Sequence, residues 1–129
     1  MHLLESGQMY IETIHVLSKN GGVVRSVDVS EHMGVSKPSV SRAIGLLREG
    51  GYVIMARDGA LTLTDAGIAV ADKIYERHRV ITAFLSAIGV SAETAADDAC
   101  KMEHHISDET FEALKRHTEQ FVSLWEKKE

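Results

Sequence analysis

Residues 34–63 read GVSKPSVSRAIGLLREGGYVIMARDGALTL, and this stretch decides the fold of the first half of the chain. After its opening turn, Val40, Ile44 and Leu47 recur at helical spacing, and the proline near the start suits a first helical turn. A glycine pair ends this pattern. Two β-prone runs then flank the Asp-Gly dipeptide at 58–59, which is a hairpin signal. The stretch predicts a turn, a helix and a hairpin in that order.

Two further helical patterns precede this stretch. Apolar residues recur at helical spacing in residues 7–18, and a second pattern runs from Val24 to His32 with Ser26 as its cap. The complete order of helix, helix, turn, helix and hairpin is that of a winged helix-turn-helix.

The second half of the chain is predicted to be entirely helical. A linker helix of about 64–88 is followed by a helix over about 91–105 and a last helix that begins near 107. The apolar positions of these helices include Ile68, Ala71, Ile74, Tyr75, Phe111, Leu114, Phe121 and Trp125. The predicted fold is mainly α, with a winged helix-turn-helix domain at 1–63 and a helical domain at 64–129 that shares the linker helix.

Composition limits the location and the partners of the protein. The chain has 129 residues with 44% apolar content, no run of eighteen apolar residues and no basic start followed by an apolar segment, so we expect a cytoplasmic protein without membrane contact. The net charge is −5, and its excess acid lies in residues 64–129, with eight basic against thirteen acidic residues. Residues 1–63 are balanced and leave room for a positive stripe.

The helix after the turn is the candidate for nucleic-acid recognition. In a helix-turn-helix, the N-terminal residues of the second helix reach the major groove. The residues in question are Ser36, Lys37, Pro38, Ser39, Ser41 and Arg42. Arg57 at the hairpin tip is a further candidate for the DNA backbone or minor groove. The alternative is that the serines only cap the helix and that Arg57 is only solvated.

A second set of residues carries metal chemistry. Cys100, Glu103 and His104 stand at spacing i, i+3, i+4, so on a helix their thiolate, carboxylate and imidazole share one face. Such a donor set suits a divalent transition metal. The alternatives are a buried cysteine beside a solvated Glu-His pair, or a metal-independent regulator with Cys100 as a redox sensor. An enzyme with a Cys100-His104 pair is disfavoured because no orienting group or oxyanion loop is evident.

Six segments carry a resemblance to a known family: MYIETI at 9–14, VSKPSVS at 35–41, LTLT at 61–64, RHR at 77–79, IGV at 88–90 and CKMEHHIS at 100–107. On these segments the chain resembles the diphtheria toxin repressor family of iron- and manganese-dependent transcriptional repressors. The resemblance implies a homodimer that binds double-stranded operator DNA when a divalent metal is present. Its second half would carry dimerisation, and the chain looks like a short form that lacks the SH3-like domain of longer members.

The resemblance also implies metal ligands. Met9, Cys100, Glu103 and His104 match the primary site of the iron-responsive branch, while Glu12 and His78 match ligands of the paired site in the manganese-responsive branch. Thr82 and Ala96 replace further ancillary ligands of the iron branch. Two sulfur donors favour Fe(II), with Co(II), Ni(II), Zn(II) or Mn(II) as other candidates. A Mn(II)-responsive regulator with a paired site remains the alternative.

Overall fold

The structure is a computed structural model that describes residues 5–127, and the side chains of residues 6–120 among them. Within these residues six helices and one two-stranded sheet follow each other along the chain. Their bounds are α1 Glu5–Lys19, α2 Ser26–Met33, α3 Lys37–Glu49, β1 Val53–Met55, β2 Leu61–Leu63, α4 Asp65–Ala87, α5 Ala92–Met102 and α6 Asp108–Lys127. The predicted mainly α fold with a small β-hairpin is confirmed.

The chain divides into two compact units, Met1–Lys73 and Ile74–Glu129, here called unit 1 and unit 2. The division falls inside α4, which the sequence predicted to be a linker helix shared by both halves. The predicted functional boundary at 63/64 stays a prediction. No helix among the described residues has the length and apolar character needed to cross a membrane.

Unit 1 is built around the apolar faces of its three helices and its hairpin. Ile11 and Ile14 of α1 and Val29 of α2 are fully buried. The inward positions predicted for α3 and residues from both strands complete this core: Val40, Ile44, Leu47, Val53, Leu61 and Leu63. These residues form the core of a winged helix-turn-helix, as the sequence predicted.

The turn between α2 and α3 is fixed by local chemistry. Gly34 adopts the left-handed conformation with φ 69°, and its N–H donates to the Ser30 carbonyl at 2.9 Å. The Ser30 hydroxyl donates to the carbonyl of Val35 at 2.6 Å. Ser36 then caps α3, since its hydroxyl oxygen accepts from the Ser39 N–H at 3.3 Å. These bonds set the angle at which α3 leaves the turn.

The hairpin forms the predicted wing. The strands are antiparallel, with Val53 opposite Leu63, and the loop closes with the Ala56 N–H donating to the Ala60 carbonyl at 2.9 Å. Gly59 supplies the positive φ of 89° that this turn requires. The wing therefore projects a short loop at 57–59.

The prediction that the second helix begins at Val24 was wrong. Val24 instead forms an isolated antiparallel bridge with Leu61, whose N–H donates to the Val24 carbonyl at 2.7 Å. The helix begins two residues later, at Ser26. The segment before α2 is thus an added edge of the wing, which local helical spacing does not reveal.

Unit 2 packs part of α4 against α5 and α6. Ile81, Ala95, Ala99 and Phe111 are buried. The ammonium of Lys115 on α6 donates to Oε1 of Glu76 on α4, with 2.7 Å between the two atoms. This hydrogen bond raises the pKa of Lys115.

Two details of the helical half differ from the prediction. Ile68 and Tyr75 are among the apolar positions predicted for α4, but they are 40% and 56% exposed, whereas Ala71 and Ile74 are buried. The helix that begins after its cap at Ser91 ends at Met102 rather than near His105. The side chains of Phe121 and Trp125, predicted to be apolar positions of α6, lie outside the described side chains.

Candidate metal centre and nucleic-acid interface

The centre of unit 2 is a buried carboxylate between two imidazoles. Glu103 is 2% exposed. Its Oε2 lies 3.0 Å from Nδ1 of His78, and its Oε1 lies 3.3 Å from Nε2 of His104. A carboxylate buried to this degree needs polar partners, because removing its charge from water without them is costly. The two histidines supply those partners.

A thiol extends this cluster toward solvent. Sγ of Cys100 lies 3.7 Å from Nδ1 of His78, and Cys100 is exposed. The potential ligand atoms of His78, Cys100 and Glu103 all lie within 4.8 Å of one another. Sulfur, nitrogen and oxygen donors this close form a donor set that fits a divalent transition metal.

The end of α5 and the turn after it position these side chains. Cys100 lies in the last turn of α5, and Glu103 is its C-cap, with its N–H donating to the Ala99 carbonyl at 2.9 Å. His104 follows in the turn, and His78 comes from α4. The sequence grouped Cys100 with Glu103 and His104, whereas the structure groups Cys100 with Glu103 and His78, and His104 contacts the other oxygen of Glu103.

The remaining predicted ligands lie in unit 1. Met9 and Glu12 are on α1, three residues apart, with Met9 43% exposed and Glu12 half-buried. Methionine is among the residue types that are most often fully buried, and Met9 is an exception.

Arg77 is a residue to which sequence reasoning gave no role. Its guanidinium donates to the carbonyls of Glu103 at 3.1 Å and Ile106 at 2.8 Å, and it pairs with Asp108. The available signal was its position, three residues after Ile74 and four before Ile81, on the buried stripe of α4. An arginine on such a stripe needs internal acceptors.

The residues predicted to meet nucleic acid lie around the start of α3. Ser39 is half-buried. The others are exposed: Ser36, Lys37, Pro38, Ser41 and Arg42. The capping role weighed for the serines is present, since Ser36 bonds both the N–H and the hydroxyl of Ser39. Capping and groove contact are compatible, because the hydroxyl of Ser41 and the charges of Lys37 and Arg42 lie outside the cap.

A second arginine missed by sequence reasoning holds the wing. Arg25, the N-cap of α2, donates to the Asp58 carbonyl at 3.2 Å and pairs with its carboxylate at 3.3 Å. Asp58 also accepts from the Ala60 N–H at 3.1 Å. These bonds tie the hairpin tip to α2 and leave the neighbouring Arg57 exposed.

Together, a winged helix-turn-helix unit and a helical unit with a metal-ligand cluster define a class of metal-responsive DNA-binding protein. Residues 2–61 match the family model described as iron dependent repressor, N-terminal DNA binding domain, and residues 64–123 match the model described as iron dependent repressor, metal binding and dimerisation domain. The chain belongs to the iron-dependent repressor family, a family of transcriptional regulators. The resemblance found in the sequence is confirmed.

Individual relatives agree with this assignment. The chain is 37% identical over 110 residues to the transcriptional regulator MntR of Escherichia coli, which covers 85% of this chain and 71% of that protein. It is 31% identical over 108 residues to the diphtheria toxin repressor of Corynebacterium diphtheriae, covering 83% of this chain and 48% of that protein. A manganese-dependent transcriptional repressor solved in complex with manganese superposes with a TM-score of 0.77 at 30% identity, over 87% of this chain and 52% of that one. The chain thus spans about half the length of the last two. The family models are described as iron dependent, whereas the solved structure is described as manganese-dependent.

Proposed function

We propose that this protein is a cytoplasmic, homodimeric repressor that binds double-stranded operator DNA when Fe(II) is bound. The observation that carries the proposal is the cluster of His78, Cys100, His104 and the buried Glu103 in a chain whose other unit is a winged helix. No catalytic step is part of this proposal. DNA contacts are assigned to Ser36, Lys37, Pro38, Ser39, Ser41, Arg42 and Arg57.

The donor chemistry supports the choice of metal. A thiolate from Cys100 and a thioether from Met9 are soft ligands, and a mixed shell of sulfur, nitrogen and oxygen disfavours Mn(II) relative to Fe(II), Co(II), Ni(II) or Zn(II). Fe(II) is proposed over the later metals of this series on the basis of cellular availability, since raw affinity alone favours several competitors.

The proposed mechanism links ligands of the two units. Met9 belongs to the unit that carries α3, whereas Cys100, Glu103 and His104 belong to unit 2. Ligands from both units on one ion would restrict the motion of one unit relative to the other. A dimer reads half-sites about 34–36 Å apart, or a multiple of that distance, so the separation of its two recognition helices must be restricted. A cation held there would also offset part of the acidic charge of residues 64–129 and so reduce repulsion from phosphate.

A paired metal site is the second candidate. The two oxygens of Glu103 face two different imidazoles, at 3.0 Å and 3.3 Å, so each oxygen could contribute to a different ion. In this version Glu12 and His78 would help to hold a second ion, and the regulator would respond to Mn(II). Metal stoichiometry separates the versions, because one ion per chain supports the first and two support the second.

The decisive experiment measures DNA binding as a function of metal. A duplex selected from a random pool with the protein is titrated in chelator, then with Fe(II), Mn(II) or Zn(II) under anaerobic conditions. We expect specific binding only with metal, strongest with Fe(II), and a dimer on sizing chromatography in every condition. Specific binding that persists in chelator would contradict the proposal and favour the regulator that uses Cys100 as a redox sensor. A monomer throughout would contradict the proposed dimer.

Alanine substitution at Lys37 or Arg42 should weaken binding to all DNA sequences alike. Both side chains are exposed near the start of α3, where they can reach phosphates. The affinity should fall about threefold to tenfold, and the slope of log affinity against log salt should decrease by about one unit for each phosphate interaction removed. Arg116→Ala removes an exposed charge from α6 and is the control. Loss of discrimination at one base position with an unchanged salt slope would instead indicate direct base readout.

Gly45→Ala should stabilise the protein and weaken DNA binding. Gly45 lies on α3 four residues after Ser41, and a methyl group there would meet no atom within 4 Å beyond its chain neighbours and the adjacent backbone of its own helix. Glycine inside a helix costs ~0.5–1 kcal/mol relative to alanine, so the free energy of unfolding should rise by that amount. We expect operator affinity to fall about tenfold, or ~1.4 kcal/mol, because the methyl group occupies space against the duplex. Urea unfolding and DNA titration measure the two effects, and an unchanged affinity would show that α3 does not approach DNA at this position.

A further inference from the structure

Adjacent residues of α4 hold Glu103 at both of its ends. Arg77 donates to the backbone carbonyl of Glu103 at 3.1 Å, and His78 lies 3.0 Å from the side-chain Oε2. One helix, α4, therefore fixes both the main chain and the side chain of Glu103, whose carboxylate lies at the centre of the cluster. Of these two groups on α4, only the imidazole belongs to the proposed ligand set.

The guanidinium of Arg77 also ties together the whole connection between α5 and α6. It donates to the Ile106 carbonyl at 2.8 Å, pairs with Asp108 at the first position of α6, and lies 5.2 Å from the ring centroid of Phe111. The last carbonyls of a helix have no partner within that helix. Arg77 supplies partners to the carbonyls of this turn with a planar group of fixed geometry, which the ammonium of lysine does not reproduce.

We propose that Arg77 is a positioning residue of the metal centre, which fixes Glu103 and His104 before an ion binds. A guanidinium has no acceptor atom and cannot be a ligand, so it acts only through the residues it holds. Without it, the turn at 103–107 loses two of its hydrogen bonds to α4, and both ligands lose their fixed starting positions. This inference rests on the proposed metal-dependent function, and its test separates the two.

The test compares the Co(II) affinity of the wild-type chain with that of its variants. Binding is monitored by the thiolate-to-cobalt absorption, under anaerobic conditions and without DNA. Arg77→Lys should keep the charge and the helical content but bind Co(II) about 10- to 100-fold more weakly, the range typical when a group that orients a metal ligand is removed. Arg79→Lys is the matched control, because Arg79 is exposed on the same helix. Thr118→Ala is the control for lowered stability. The hydroxyl of the buried Thr118 donates to the Leu114 carbonyl of α6 at 2.7 Å, and the substitution removes this hydrogen bond.

A double substitution identifies the route of the effect. If Arg77 acts through Glu103 and its turn, Arg77→Lys should cost clearly less in a Glu103→Gln background than in the wild type, since one of the two ligands it positions is already absent. Equal Co(II) affinity of wild type and Arg77→Lys overturns the inference and leaves the metal site intact. An equal loss in Thr118→Ala, or a full additional loss in the double variant, assigns Arg77 a general structural role and also overturns it. A wild type that binds no Co(II) overturns the proposed function itself.

Discussion

Replacing Glu103 by glutamine should abolish metal-dependent operator binding. Glu103 is the one residue of the cluster that faces both His78 and His104, at 3.0 Å and 3.3 Å, and its side chain is 1% exposed. Glutamine keeps the shape and a hydrogen-bonding oxygen but removes the negative charge that would neutralise a cation. Because removal of an outer hydrogen-bond partner typically costs about 10- to 100-fold in metal affinity, removal of a proposed direct ligand should cost more than ~100-fold.

Metal titration followed by DNA titration measures this loss. Glu109→Gln is the control, because it makes the same chemical change at an exposed position of α6. Thermal unfolding in chelator should be similar for wild type and Glu103→Gln, while added metal should raise the melting temperature of the wild type alone. A Glu103→Gln protein that still binds its operator only when metal is added would remove Glu103 from the ligand set.

Local chemistry made the winged helix predictable. The proline at the start of α3, the left-handed Gly34 and the Asp-Gly turn at 58–59 each constrain the backbone over a few residues. Those constraints agree with the apolar spacing of the three helices, and agreement between levels is what makes a fold predictable from its sequence. The bridge between Val24 and Leu61 was missed because it joins segments 37 residues apart in sequence.

The candidate metal centre was only partly predictable for the same reason. The spacing of Cys100, Glu103 and His104 indicated the chemistry without any partner from another helix. The spacing could not show that α5 ends at Met102, after which helical geometry no longer determines where His104 points. His78 entered through the resemblance, and Arg77 was missed, because the position of each depends on how α4 packs against the turn after α5.

Exchanging the two proposed sulfur ligands, Met9 and Cys100, for carboxylates should shift the metal preference of the protein toward Mn(II) and away from Fe(II). Met9→Asp and Cys100→Glu replace soft donors by hard oxygen donors and add a carboxylate near His78 and Glu103. Both positions are exposed, so the new side chains need not displace the core. The ratio of Mn(II) to Fe(II) affinity should rise on the order of 100-fold, which corresponds to ~2.8 kcal/mol.

Anaerobic titrations with both metals, on protein shown to be folded by circular dichroism, measure this ratio. Cys100→Ser is the matched control, because it removes the thiolate without adding a carboxylate and should therefore weaken Fe(II) binding without a gain for Mn(II). A gain confined to the double variant would mean that hard oxygen ligands, rather than the removal of sulfur, select Mn(II). Were the wild type to respond best to Mn(II), or the double variant to keep the same ranking of metals, ligand softness would not set selectivity and the assignment of Fe(II) would lose its main support.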